Sequence, residues 1–346
     1  MTRALPIACL AAAAVLAGCR GQSWLGALAA AEPAEAAPAV AGTDANAGAV
    51  KAFDLPATDA VLLITGDTDG MLEACDCPAV PSGGLARRSG LASGYRSAFG
   101  RGRVMLLDAG DFLWVEPSHP RNRFVLEGLG LLGYDALALG DQEWAIPSSA
   151  VPAVFGDGDL RPALVSTNVQ YLDAAEDQAP ETVHAVRRQM GPARLAVVSY
   201  LPADAMYFVP AGRRKNLRVT DANAVAAVID RLKGEGDVVV LVYQGRPSRL
   251  EALAASGADL IVHADGNKKA QPLKRIGGTP VVTTAGSAYV VAVGLDLASG
   301  GIEAIDLRNE RVDQRWPADQ RLVKLNRRAL EAIKEAREAG DEDFAF

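Results

Sequence analysis

Short apolar runs punctuate the chain at 60–65, 104–107, 136–139, 164–165, 195–200, 238–243, 260–262 and 280–284. Each run stops at glycine, proline or a polar residue: Gly66-Asp67, Asp108-Ala109-Gly110-Asp111, Gly140-Asp141, Ser166-Thr167-Asn168, Leu201-Pro202, Gln244-Gly245, His263-Ala264-Asp265 and Ala285-Gly286. Runs of this length between turn residues predict strands buried on both faces. Helices are predicted between them, at 84–99 after a Gly-Gly turn, at 121–132 closed by Gly133, and at 221–233 between an Asp221 start and a Gly234 stop. A last helix follows Asp319, with Leu322, Leu325, Ala329, Ile333 and Ala336 on one docking stripe. Alternating strand and helix predicts an α/β layered fold, and the polar residues just after its strands are where such folds collect ligand groups.

The N-terminus follows a different pattern. A basic start at Arg3 leads into an apolar stretch at 5–18 and then Cys19, the order of a secretory signal too short to span a bilayer comfortably. Residues 21–54 are rich in Ala, Pro and Gly and lack a pattern of large apolar positions, so they are expected to form a flexible tether. Leu16-Ala17-Gly18-Cys19 resembles the bacterial lipobox. That resemblance implies lipid on Cys19, the membrane as a partner, and a place in the cell envelope. Arg20 stands where an aspartate would mark inner-membrane retention, so the outer membrane is favoured. The expected organisation is a signal at 1–18, a lipidated tether at 19–58, one main domain at 59–312, and a helix with a tail at 313–346.

Charge and cysteine content narrow the picture. With 35 Lys and Arg against 42 Asp and Glu the chain is acidic, net −7, which gives nucleic acid no basic face. The Trp and Tyr residues are scattered and suit core or rim positions better than a stacking platform. Of four cysteines, Cys9 lies in the signal and Cys19 at its end, leaving the close pair Cys75-Asp76-Cys77. Three readings of that pair stay open. A reactive pair would use the cations Arg87 and Arg88 and a helix N-terminus to stabilise a thiolate, against Asp76. Two thiolates could bind a soft metal. The third reading is an inert loop-clamping disulfide, which would add little loop-closure entropy.

The strand-end segments, taken in order, resemble the 5′-nucleotidase branch of the calcineurin-like metallophosphoesterases. They are Ile64-Thr65-Gly66-Asp67-Thr68-Asp69-Gly70, Gly83-Gly84-Leu85-Ala86-Arg87, Leu107-Asp108-Ala109-Gly110-Asp111, Gly140-Asp141-Gln142-Glu143, and the stretches 239–245, 259–267 and 278–287. Glu73-Ala74-Cys75-Asp76-Cys77-Pro78 followed by Gly83-Gly84-Leu85-Ala86-Arg87-Arg88 is nearest to nucleotidase-like lipoproteins that carry a Cys-x-Cys or selenocysteine version of the motif. The resemblance implies a four-layer α/β metallophosphoesterase-like sandwich with a short C-terminal helix. It also implies a two-metal site at the strand ends, where two divalent ions clamp a phosphate and generate a hydroxide.

At that site the chain departs from the pattern. Where the family has imidazoles, this sequence has Asp69, Gln142, Gln244, Asp265 and Asn267. Asp141 stands in for an asparagine, and only Asp67 and Asp111 match ligands. The three histidines, His119, His184 and His263, miss every ligand position and are expected on the surface or in loops. The candidate metal residues are therefore Asp67, Asp69, Asp111, Asp141, Asp265 and Asn267, an oxygen set suited to Mg²⁺, Ca²⁺ or Mn²⁺ rather than Zn²⁺. Arg87 and Arg88 are the candidate cofactor-binding residues, or else counter-ions of those carboxylates. Cofactors the residues would admit are a divalent cation in the cleft or a soft metal at the cysteines. The expected function is a thiol redox or soft-metal protein acting through Cys75 and Cys77. Two alternatives stand beside it: a phosphoesterase with a carboxylate-rich metal set, and a non-catalytic envelope binding protein.

Overall fold

The computed structural model describes residues 49–75, 81–116, 119–147, 154–155, 162–172, 181–264, 269–298 and 300–338. Cys19, Cys77, Asp265 and Asn267, with the signal, the tether up to residue 48 and the tail from 339, lie outside the described residues. Two sheets form the centre. The first runs β17 (Gly301–Arg311), β16 (Tyr289–Ala298), β1 (Ala60–Thr65), β4 (Val104–Asp108), β5 (Ala136–Ala138), β6 (Ala163–Val165), β8 (Thr182–Val183). The second runs β14 (Lys274–Ile276), β15 (Thr279–Thr283), β13 (Leu260–Ala264), β12 (Asp237–Gln244), β10 (Ala193–Tyr200), β9 (Val186–Met190). Two small ladders, β2 (Ala74–Cys75) with β3 (Ser82–Gly83) and β7 (Val169–Tyr171) with β11 (Leu217–Val219), complete the strands of the described residues.

Successive strand residues point to opposite faces, and this alternation sorts the core into three apolar seams. On β1, Ala60, Leu62 and Ile64 face the second sheet and meet Leu195, Val197, Val240 and Val262. Val61 and Leu63 face the other way, into a seam with Leu91, Tyr95, Val125, Leu129, Leu322 and Leu325. These last residues lie on α1 (Leu85–Phe99), α2 (Arg121–Leu132) and α7 (Gln320–Glu338). The third seam joins Val198, Val239 and Leu241 to Val225 and Ile229 of α5 (Ala222–Gly234) and Leu253 of α6 (Leu250–Ala254). Helices, sheet, sheet, helices: the sandwich has four layers. Each fully buried Leu or Val on these strands contributes roughly 1.5–3 kcal/mol relative to exposure, so the doubly buried runs dominate the driving force.

The predicted elements stand where the apolar pattern puts them, with local differences. Asp221 caps α5 by accepting from the Ala224 N–H at 3.1 Å, as its position predicts. Gly234 ends that helix as its last residue, and the left-handed residue is Gly236, φ 84°. Phe53, expected in the tether, packs into the core against Gly294 and lies beside Tyr95 and Phe99. The long β16–β17 hairpin is not among the predicted strands. The half-buried pattern of β17 carries too many charged residues to read as an apolar run. Among the described residues, α3 (Asp141–Trp144) and α4 (Ala211–Arg214) are single turns.

Candidate functional site

Parallel pairing of β1 with β4 sets Thr65 opposite Asp108, so the loops leaving both strands run side by side. The ladder continues into those loops: Asp67 N–H donates to Gly110, Asp69 N–H to Asp111, and Gly70 N–H to Phe112, each at 3.0 Å. Three non-glycine residues of the described chain have positive φ, and all three are here: Asp67 at 50°, Asp69 at 49° and Asp111 at 55°. Left-handed backbone costs an L-residue roughly 1–2 kcal/mol, less for Asp than for most, and clusters of it mark sites that the surrounding structure over-determines. The fold thus delivers three of the candidate carboxylates to one place by backbone geometry.

From β5 the chain passes Gly140 into the single turn α3, which brings Asp141, Gln142 and Glu143 alongside. Asp141 Oδ2 accepts the Phe208 N–H at 2.8 Å. Gln142 donates its backbone N–H to Asp111 at 3.3 Å and its Nε2 to Asp69 at 2.9 Å. Across the sheet interface, Gln244 at the end of β12 donates Nε2 to the carbonyls of Ala109 at 2.7 Å and Leu139 at 3.2 Å. Glu143 is buried beneath them. Its Oε1 accepts from Phe112 and Leu113, and its Oε2 from Asp111 and Gly140. Burial pushes the Glu143 carboxyl up to about 8 while those backbone donors pull it back. Burial, then the neighbouring Glu143, Asp141 and Asp67 charges, hold Asp111 well above the ordinary carboxylate range. Asp141 is raised by burial.

A second buried network lies below. Thr65 Oγ1 donates to Asp108 at 2.6 Å and lies 2.8 Å from the Tyr134 hydroxyl, which with Thr68 Oγ1 accepts from Arg88 Nη1. Arg88 is 2% exposed. The expectation that Arg88 meets a cofactor or a rim carboxylate is therefore corrected: it points into the core, toward Asp108. Arg87 is half-buried on the first turn of α1. The expectation of histidines on the surface or in loops holds for His119 and His184, which lie between elements, although His119 is buried with its Nδ1 accepting the Arg121 N–H; it is corrected for His263, which is buried on β13 and stacks on Tyr243. His184 is half-buried.

Cys75 sits on β2, half-buried, with Sγ 3.6 Å from Ser82 Oγ. The β2–β3 pair leads directly into α1, whose N-cap Gly84 is closed in by the Glu73 and Ala74 backbone. Cys75 therefore lies on the segment that joins the Asp67–Asp69 loop to the Arg87 helix. No helix among the described residues is long and apolar enough to cross a membrane.

Among the described residues the donor set does not fit a two-metal centre. Gln142 and Gln244, where the resemblance implies imidazoles, turn amide N–H groups onto a carboxylate and onto carbonyls and offer no nitrogen lone pair of the kind Zn²⁺ prefers. Among the described residues no three His, Cys, Asp or Glu side chains converge as a metal-holding group. The described candidates Asp67, Asp69, Asp111 and Asp141 are brought together, but they are tied to one another and to backbone. Two features escape a reading of the sequence. Glu143 ends a family-like motif yet is not among the candidates, and its role shows only once four N–H groups are seen to converge on it. Tyr207 and Phe208, 64% and 49% exposed, stand at the rim because the Phe208 N–H holds Asp141. The only sequence signal for them is a pair of aromatics in the loop after β10.

The sequence matches no family model and no curated protein. Solved structures do resemble it. A sulfate thiohydrolase, SoxB, of Thermus thermophilus in complex with glycerol shares 21% identity at a TM-score of 0.67, over 82% of this chain and 62% of that one. A 5′-nucleotidase precursor, also of Thermus thermophilus, shares 17% at 0.66, over 80% and 59%. The calcineurin-like phosphoesterase YfkN of Bacillus subtilis shares 16% at 0.59, over 80% and 98%. The chain spans less than two thirds of the first two. At such identities the likeness is one of fold.

Proposed function

From a chain with the 5′-nucleotidase-like metallophosphoesterase fold, we propose an envelope lipoprotein that no longer performs two-metal phosphate hydrolysis and acts through the thiols of Cys75 and Cys77. The observation that carries this reading is the amide pair. Gln142 and Gln244 point N–H donors where the fold's chemistry calls for imidazole lone pairs. The reaction class is thiol–disulfide exchange. A Cys75 or Cys77 thiolate attacks a partner disulfide, the partner's S–S bond breaks, and the second cysteine closes an S–S bond here while the partner leaves as two thiols. Arg87 and the N-terminus of α1 favour the thiolate. The three left-handed aspartates support a second reading, a phosphoesterase with oxygen-only ligands, because strained backbone persists where function uses it.

One preparation decides between them. Purified protein is assayed on nucleoside monophosphates and an aryl phosphate with Zn²⁺, Mn²⁺, Mg²⁺ and Ca²⁺, and its thiols are trapped and counted across a redox titration. The expected result is no turnover near about 1 s⁻¹ and a two-electron couple less negative than roughly −300 mV. Metal-dependent turnover that disappears in Asp111→Asn restores the phosphoesterase reading. A potential well below that value makes the pair structural.

A further inference from the structure

The loop between β10 and β11 carries a surface unlike the rest of the chain. Five large apolar side chains stand exposed among the described residues, and three belong to this loop or to the strand end paired with it. Tyr207 and Phe208 are consecutive in the loop. Leu172, 51% exposed at the end of β7, is drawn beside it by its N–H, which donates to the Asn216 carbonyl at 2.8 Å. Single exposed apolar residues are ordinary, whereas a cluster of them marks an interaction surface. The backbone holds the two rings out: the Phe208 N–H is bonded to Asp141, and the Tyr207 hydroxyl accepts from Arg246 Nε at 3.4 Å.

Cations surround the rings. Residues 201–219 contain Arg213, Arg214, Lys215 and Arg218 against a single acid, Asp204, and that acid is already paired with Arg249 at 2.8 Å. Arg214, Lys215, Arg218 and Arg246 are exposed. Arg214 Nε donates to the Val209 carbonyl at 2.8 Å, which keeps its charge with the segment that carries the rings. In a chain of net charge −7 such a basic patch complements an anionic partner. Protein interfaces are depleted in lysine and keep charge away from their aromatic centres. Rings set among lysine and arginine are instead the arrangement of a segment lying in a lipid headgroup layer, apolar faces toward the acyl boundary and cations among the phosphates. Tyrosine, apolar along its ring and wet at its hydroxyl, suits that depth.

We infer that the 201–218 loop docks the domain on an anionic lipid surface, with Tyr207 and Phe208 entering the headgroup layer and Arg214, Lys215, Arg218 and Arg246 pairing with lipid phosphates. The inference rests on the proposed lipid anchor, which keeps a bilayer within reach. The stretch 19–49 can extend to at most about 100 Å, so the anchor alone leaves every face of the domain free to turn toward the bilayer. The loop selects one face. Because Phe208 is bonded to Asp141, that face is the one with the strand-end aspartates, and docking sets their cleft beside the membrane.

Co-sedimentation of the mature chain, residues 19–346 with Cys19→Ser so that it carries no lipid, tests the surface apart from the anchor. The chain is expected to sediment with vesicles of phosphatidylcholine and phosphatidylglycerol in equal parts, half-bound at about 1 mM lipid or below. With phosphatidylcholine alone it should stay in solution. Salt at about 0.5 M, where the Debye length is about 4 Å, should release it. Arg214→Ala/Lys215→Ala should weaken binding at least about tenfold. Tyr207→Ser/Phe208→Ser, which leaves the Phe208 backbone bond in place, should weaken it by about tenfold. Lys324→Ala/Arg327→Ala removes the same charge from exposed positions on α7 and should bind as the parent chain does. The inference is overturned by absence of sedimentation, by equal binding to phosphatidylcholine alone, by insensitivity to salt, by undiminished binding of either loop variant, or by an equal loss in the α7 variant. Binding to poly-glutamate but not to vesicles, lost in Arg214→Ala/Lys215→Ala, makes an acidic polypeptide the partner and overturns it as well. None of these outcomes bears on the anchor, which is judged by membrane fractionation of the lipidated protein.

Discussion

Glu143 shows how one side chain can organise a site without reaching the surface. All of its acceptor positions toward the Asp111 and Gly140 loops are used by four backbone N–H groups. Glu143→Gln would turn an NH₂ onto two of those donors. Stability should fall by roughly 1–3 kcal/mol, the scale of leaving buried N–H donors without an acceptor, measured by urea unfolding; a loss within error of zero would mean the loops hold themselves. His119 gives the pH dependence. Burial, then Arg121 and Arg337, push its pKa down to about 4 from 6.5. The unfolded chain therefore takes a proton on His119 before the folded one does. Its contribution to stability is intact above pH 6.5 and is lost as pH falls toward 4. Raised carboxyls such as Glu143 and Asp111 act in the opposite direction over acid pH. The quantity to measure is thus the difference between wild type and His119→Asn, whose amide oxygen can still accept from Arg121. Wild type should lose roughly 2 kcal/mol more than the variant between neutral pH and the acid end of this window. Parallel curves would rule this out.

At the scale of elements, α1 and α7 are joined by a contact that only a glycine allows. A Cβ on Gly90 would stand 2.0 Å from the Pro317 carbonyl oxygen. Ser89 meanwhile donates to Asp319 at 2.9 Å, and the Asp319 N–H donates to Ala86 at 3.0 Å. Gly90→Ala should therefore destabilise by roughly 2–3 kcal/mol, although alanine is the better helix former by about 1 kcal/mol. Gly234→Ala, at the open end of α5 with nothing within 4 Å, should be neutral or slightly stabilising. Thermal melts of the two variants test the contrast, and equal shifts would show that the α1–α7 seam gives way. Most strands and long helices are legible because doubly buried runs and capping residues act locally: Asp221, Gly133 and the Leu322–Leu325–Ala329–Ile333 stripe all do what their spacing predicts. Ala336, predicted on the same stripe, is only half-buried near the helix end.

For the molecule as a whole, the lipid anchor we propose on Cys19 would hold the fold at a membrane surface, and Cys19→Ala should then move the protein from the membrane fraction to the soluble one. Retention on membranes after a high-salt wash would sink the lipid-anchor proposal. The resemblance carried by the ordered strand-end motifs implies the four-layer sandwich, whereas the buried runs of β1, β4, β10 and β12 by themselves predict only an α/β layered fold. It also names the aspartates of the cleft, since a turn after a parallel strand is a local event. What those aspartates do was decided only in three dimensions. Residues more than 60 apart in the chain, Asp141 with Phe208 and Gln244 with Ala109, meet through sheet register. Whether an amide presents oxygen or nitrogen to a cleft depends on which carbonyls it meets there. Local sequence determines where chains turn and which faces are apolar. The partners of a buried polar group are set by every strand that arrives beside it, and so is its chemistry.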